Sequence, residues 1–107
     1  MPASPLLRYL TAHLAAMVDE VRRLVDIETP SGDEEGIAAA ASVLSERWRD
    51  LCCRTEAHRV AGAGVHLEIH VPGRAANGEH GLVLGHLDTV YPRGTARTSP
   101  FRLDGDR

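Results

Sequence analysis

Of the 107 residues, 43% are hydrophobic, but fourteen are alanine, so core-forming bulk is modest and one domain at most fits. Twelve basic against fifteen acidic side chains leave a net charge of −3, with no basic excess to hold a nucleic-acid backbone. Every basic residue is arginine, and the absence of lysine excludes Schiff-base chemistry, a lysine general base and a P-loop within this chain. Cys52 and Cys53 are neighbours, a spacing that rarely satisfies disulfide geometry, so two reduced thiols at a helix end are expected. No apolar run reaches membrane-spanning length and the N-terminus lacks a signal-peptide layout, so a soluble cytoplasmic protein without a membrane partner is expected.

In chain order, residues 4–28 read as one helix. Ser4 can cap it and Pro5 suits its first position. Leu7, Leu10, Leu14, Met17, Val21 and Leu24 then draw an apolar stripe whose expected role is core packing, and Thr29-Pro30 stops the helix. A second helix is expected after Ser31, which has capping-box spacing to Glu34. Asp33, Glu34 and Glu35 place negative charge at its positive end, and Ile37, Ala41, Leu44, Trp48 and Leu51 form its apolar face. Helix capping accounts for that acidic cluster without a metal.

Strands follow. Thr55 to Val60 is a weak candidate, the turn 61–64 comes next, and Val65, Leu67, Ile69 and Val71 alternate with His66, Glu68 and His70 in a strand with one buried face. Leu82-Val83-Leu84 reads as a strand buried on both faces. Phe101 to Asp104 is a candidate last strand, with Asp104-Gly105 a hairpin-turn signal. Helix, helix, then three or four strands predicts an α/β fold.

Chemistry concentrates in Gly85-His86-Leu87-Asp88-Thr89-Val90, at the carboxyl end of the buried run, where α/β sheets bind ligands. Two residues apart in extended backbone, His86 and Asp88 project to one side. An imidazole can ligate zinc while a carboxylate holds its other N–H, which assigns His86 to the metal and Asp88 to orienting it. The bare spacing is common, and a structural histidine is the competing reading. On the strand His66-Leu67-Glu68-Ile69-His70 the outer histidines lie about 13 Å apart at ~3.3 Å per residue, too far to share an ion. That face reads as solvated, as do His13, His58 and His80, which have no partner pattern.

Three strings carry a family resemblance. The stretch 24–36 (LVDIETPSGDEEG) resembles the opening of the glutamate carboxypeptidase group, part of the zinc exopeptidases that include acetylornithine deacetylase and succinyl-diaminopimelate desuccinylase. The stretch 85–95 (GHLDTVYPRGT) resembles their first metal-binding motif, and 99–107 (SPFRLDGDR) the segment after it. The resemblance implies a three-layer αβα catalytic domain of which 1–107 is an N-terminal portion. It further implies a two-zinc site with His86 as a ligand of one Zn2+ and Asp88, the catalytic-site acid, bonded to that histidine. The implied substrate is a small peptide or N-acyl amino acid, and the implied full-length enzyme a homodimer. The family's bridging aspartate, general-base glutamate, remaining ligands and lid have no counterpart here. One histidine cannot hold a zinc that needs three or four protein ligands, so the chain alone is expected to be inactive. The alternative is a short non-catalytic binding or dimerisation module derived from the same fold.

Overall fold

The computed structural model describes residues 2–74 and 77–105. Asp106 and Arg107, the end of the third resembling string, lie outside the described residues. Three helices come first: α1 (Pro5–Ala12), α2 (Leu14–Val25) and α3 (Glu34–Asp50). A hairpin of β1 (Arg54–Val60) and β2 (Gly64–His70) follows, and one short helical turn, α4 (Thr95–Thr98), comes late in the chain.

Ser4 caps α1 as its sequence suggests, accepting from Leu7 N–H at 3.1 Å, with Pro5 in the first turn. The single helix expected over 4–28 is broken at His13. There the ring stacks on Tyr9 with centroids 4.1 Å apart, its Nδ1 bonds Tyr9 O at 2.8 Å, and the backbone leaves helical geometry at φ −107°, ψ 7°. A side chain competing for a helix carbonyl is a recognised cause of such a break. α2 then ends at Val25 rather than Glu28, because Glu28 to Ser31 run extended beside a later segment. The apolar stripe is not core either: Leu7, Leu10, Leu14, Met17 and Val21 are exposed.

The second predicted helix is α3, but its cap is Asp33, whose carboxylate accepts Gly36 N–H at 2.9 Å; Ser31 is engaged elsewhere. Ile37 and Ala41 of the predicted apolar face are buried with Ala40, Leu44 and Trp48 are half-buried, and Leu51 is exposed. Gly36 is required by close packing, since a Cβ there would stand 2.1 Å from the Glu28 carbonyl oxygen. The helix ends in a Schellman motif: Cys52 N–H bonds Arg49 O, Cys53 N–H bonds Trp48 O, and Cys52 takes the left-handed conformation at φ 60°. Both thiols are free, and that of Cys53 is buried.

β1 and β2 pair antiparallel, Arg54 opposite His70 and Val60 opposite Gly64, so both predicted hairpin strands form. Gly64 lies against Ile37 of α3, and Val65 is buried beside it. The result is a mixed α/β arrangement of one helix on a two-stranded sheet among the described residues. Leu82, Val83 and Leu84 correct the expected buried strand: they are 82%, 95% and 84% exposed and outside any sheet among the described residues. Phe101 to Asp104 is likewise not a strand; the Phe101 ring instead lies 4.9 Å from the Arg22 guanidinium. An apolar run becomes a buried strand only with ladder partners and cover on both faces, and these residues find neither.

Global dimensions carry the same message. The surface is 8846 Å², against about 5,800 Å² for a closed globule of this mass. The radius of gyration is 16.5 Å, against about 13 Å. Among the described residues no helix is long and apolar enough to cross a membrane.

Candidate metal centre around His86

The segment after the exposed apolar run is anchored to the connector between α2 and α3. Thr89 N–H donates to Thr29 O at 2.7 Å, and Ser31 N–H donates to Thr89 O at 3.0 Å, a short parallel bridge centred on Pro30 and Thr89. Thr29 is buried, and its hydroxyl donates to Leu87 O at 2.7 Å. These bonds fix the backbone on both sides of Asp88.

His86 and Asp88 then meet as their spacing suggests. His86 Nδ1 lies 2.7 Å from the Asp88 carbonyl oxygen and 3.3 Å from its carboxylate Oδ1. With the proton on Nδ1, the ring donates to Asp88 and Nε2 keeps its lone pair. The His86 side chain is 82% exposed and that of Asp88 42%, so the ring stands in solvent rather than among aliphatic groups. On the far side of the acid, Ser31 Oγ donates to Asp88 Oδ2 at 2.5 Å. That bond chiefly holds the Asp88 carboxyl below the ordinary aspartate range, with help from its own backbone N–H and from His86.

Three more tethers surround this unit. Glu28 Oε1 accepts from Gly94 N–H at 2.7 Å and Ala96 N–H at 2.9 Å, bonds that lower its pKa and secure the turn leading into α4. Arg93 grips Asp33 through two guanidinium nitrogens, one at 2.7 Å, while Asp33 also caps α3. Arg93 first, then Gly36 N–H, hold the Asp33 carboxyl low. Glu34, expected in a capping box, accepts from Gly62 N–H at 2.5 Å and ties α3 to the hairpin turn.

The sequence singles out His86 and Asp88 as candidates but not Glu28, Thr29, Ser31, Asp33 and Arg93, whose bonds hold this segment in place. The available signal was that two separately resembling strings, 24–36 and 85–95, hold all of these residues; the structure packs the strings against each other. Beside them lies an open cavity of about 620 Å³, lined by Val21, Leu24, Leu44, His86, Tyr91 and Ala96 among others.

Around His86 the described residues supply one imidazole and the acid that orients it, without three grouped metal-binding side chains. The ring therefore fits the chemistry of a single zinc ligand and not a complete site. His58, expected to lack a partner, bonds Glu68 at 3.1 Å across the hairpin.

No family model matches the chain. It is 36% identical over 92 residues to Carboxypeptidase G2 of Pseudomonas sp. (strain RS-16), an alignment covering 86% of this chain and 22% of that protein. The chain thus spans about a fifth of the length of the curated relative it matches.

Proposed function

We propose that this chain is the N-terminal portion of a zinc-dependent carboxypeptidase or amidohydrolase, with His86 as one ligand of a two-zinc centre. The observation that carries this reading is the His86–Asp88–Ser31 series, which links the segment resembling the metal motif to the one resembling the family's opening, and it is supported by the likeness to Carboxypeptidase G2. His86 would hold the metal through Nε2. Asp88 would accept a hydrogen bond from Nδ1–H at its carbonyl oxygen, 2.7 Å away, with its carboxylate 3.3 Å off, fixing the tautomer and making the ring a better donor. Ser31 would keep Asp88 turned toward the ring and ionised. Such a centre, when bound, polarises the scissile carbonyl and activates a water. The remaining ligands and the general base would come from elsewhere in the complete enzyme, a homodimer acting on a small peptide or N-acyl amino acid.

A non-catalytic docking or dimerisation module is the second reading, favoured by the exposed apolar residues of α1, α2 and 82–84. The two separate in a chimera in which this chain replaces the aligned segment of Carboxypeptidase G2. The enzyme reading predicts zinc-dependent release of a C-terminal residue, lost on chelation and in His86→Ala, while the 107-residue chain alone is inactive. Undiminished turnover in the His86→Ala chimera contradicts it. The coding sequence past the Arg107 codon gives an independent check: in-frame continuation into a glycine-rich, aspartate-containing motif supports the enzyme, and an immediate stop supports the module.

A further inference from the structure

The hairpin gathers a second set of metal-binding side chains, distant in sequence from His86. Its register sets Arg54 opposite His70, Glu56 opposite Glu68 and His58 opposite His66. Because side chains alternate along a strand, these six share one face, while Val65, Leu67 and Ile69 take the other, toward α3. The sequence reading compared only the two histidines along one strand and found them too far apart. Pairing with β1 changes the geometry by bringing ligands across the ladder.

Two features of this face call for a cation. Glu56 and Glu68 stand directly opposite, an arrangement in which like charges repel. Imidazoles also crowd one carboxylate: Glu68 Oε2 lies 3.1 Å from His58 Nε2, and its Oε1 lies 2.5 Å from His70 Nε2. The second approach is an ion-pair contact, and His70 Nε2, an atom shielded from solvent on a part-exposed side chain, has no geometrically acceptable hydrogen bond among the described residues. Arg54, on the same face, pairs with Glu56. One ligand atom each from Glu56, His58 and Glu68 lies within 4.8 Å of the other two. Ligand atoms around a tetrahedral ion with bonds of about 2.0–2.2 Å stand about 3.3–3.6 Å apart, so the trio must close by up to about 1.5 Å, a change that rotamer adjustment on an open face supplies.

We propose that Glu56, His58 and Glu68 bind one divalent cation of zinc-like preference across the β1–β2 hairpin, with water completing its coordination. The cation replaces the repulsion of two facing carboxylates with a cross-strand staple. Nothing in this site depends on the role proposed for His86.

Calorimetric titration of the full 107-residue chain with zinc chloride at pH 7 tests it, in a His86→Ala, Cys52→Ser background that removes the proposed zinc ligand and the exposed thiol. One equivalent is expected to bind. Affinity should fall about tenfold or more in His58→Ala and in Glu68→Gln, and stay unchanged in His66→Ala, which lies on the same face outside the trio. Glu56→Gln relieves the repulsion and keeps the hairpin, so its circular dichroism should match the parent while zinc affinity drops. Absence of binding in the background chain, or unchanged affinity in Glu56→Gln, overturns the site.

Discussion

Ser31 and Asp88, 57 residues apart in sequence, are joined by a 2.5 Å hydrogen bond from the serine hydroxyl to the carboxylate oxygen turned away from His86. Ser31→Ala should therefore leave the fold intact yet release Asp88. Its carboxyl should titrate at higher pH, measured by NMR of the side-chain carbon. In the Carboxypeptidase G2 chimera, zinc affinity should fall about tenfold or more, the usual cost of removing a group that steadies a metal ligand. Ser31→Thr, which keeps the hydroxyl, should restore both.

Acid should detach the 87–96 segment from the α2–α3 connector. Glu28, Asp33 and Asp88 are all held below their ordinary values in the folded chain. A carboxyl with a depressed folded pKa stabilises fully above its unfolded pKa, about 4 for these groups, and loses that contribution as pH falls through the folded value. Hydrogen exchange of the Gly94 and Ala96 amides should accordingly quicken, relative to intrinsic rates, below about pH 4. In Glu28→Gln those amides should already be poorly protected at neutral pH. Amide protection independent of pH and of Glu28 would show that these bonds do not hold the segment.

Gly36→Ala should destabilise by about 1–3 kcal/mol, the range for overpacking. The added methyl meets the Glu28 carbonyl oxygen and backbone that cannot retreat without pulling Glu28 from Gly94. Urea unfolding monitored by Trp48 fluorescence measures the loss, and the same amide exchange should report the undocking.

Cys52→Gly should stabilise. Cys52 holds a left-handed conformation that costs a residue with a Cβ about 1–2 kcal/mol, whereas glycine's extra unfolded-state entropy takes back about 0.5–1 kcal/mol. A net gain of about 0.5–1 kcal/mol is expected in urea titration, while Cys52→Val should lower stability.

Local signals were legible in the residues; tertiary ones were not. The Ser4 cap, the N-terminal part of the α3 face and the hairpin turn act over a few residues, and they formed where capping, periodicity and glycine placement put them. His13 broke the first helix because its ring bonds a backbone carbonyl four residues back, which an apolar stripe does not register. Leu82 to Leu84 are apolar enough to be a strand, yet strand formation depends on neighbours rather than on the run itself. His86 and Asp88 were visible because their relation spans two residues. Ser31, Asp33 and Glu34 read as helix-capping residues, and only folding across some sixty positions shows Ser31 on Asp88 and Asp33 on Arg93. His58 reads as partnerless in the sequence for the same reason, since its partner lies across the hairpin.

The most direct measurement is the side-chain nitrogen spectrum of His86 in the Carboxypeptidase G2 chimera, recorded by long-range proton–nitrogen correlation before and after zinc is added. Coordination through Nε2, with Nδ1 keeping its proton on Asp88, predicts a large shift at Nε2 and little change at Nδ1. If both nitrogens keep their metal-free shifts at saturating zinc, His86 is not a ligand.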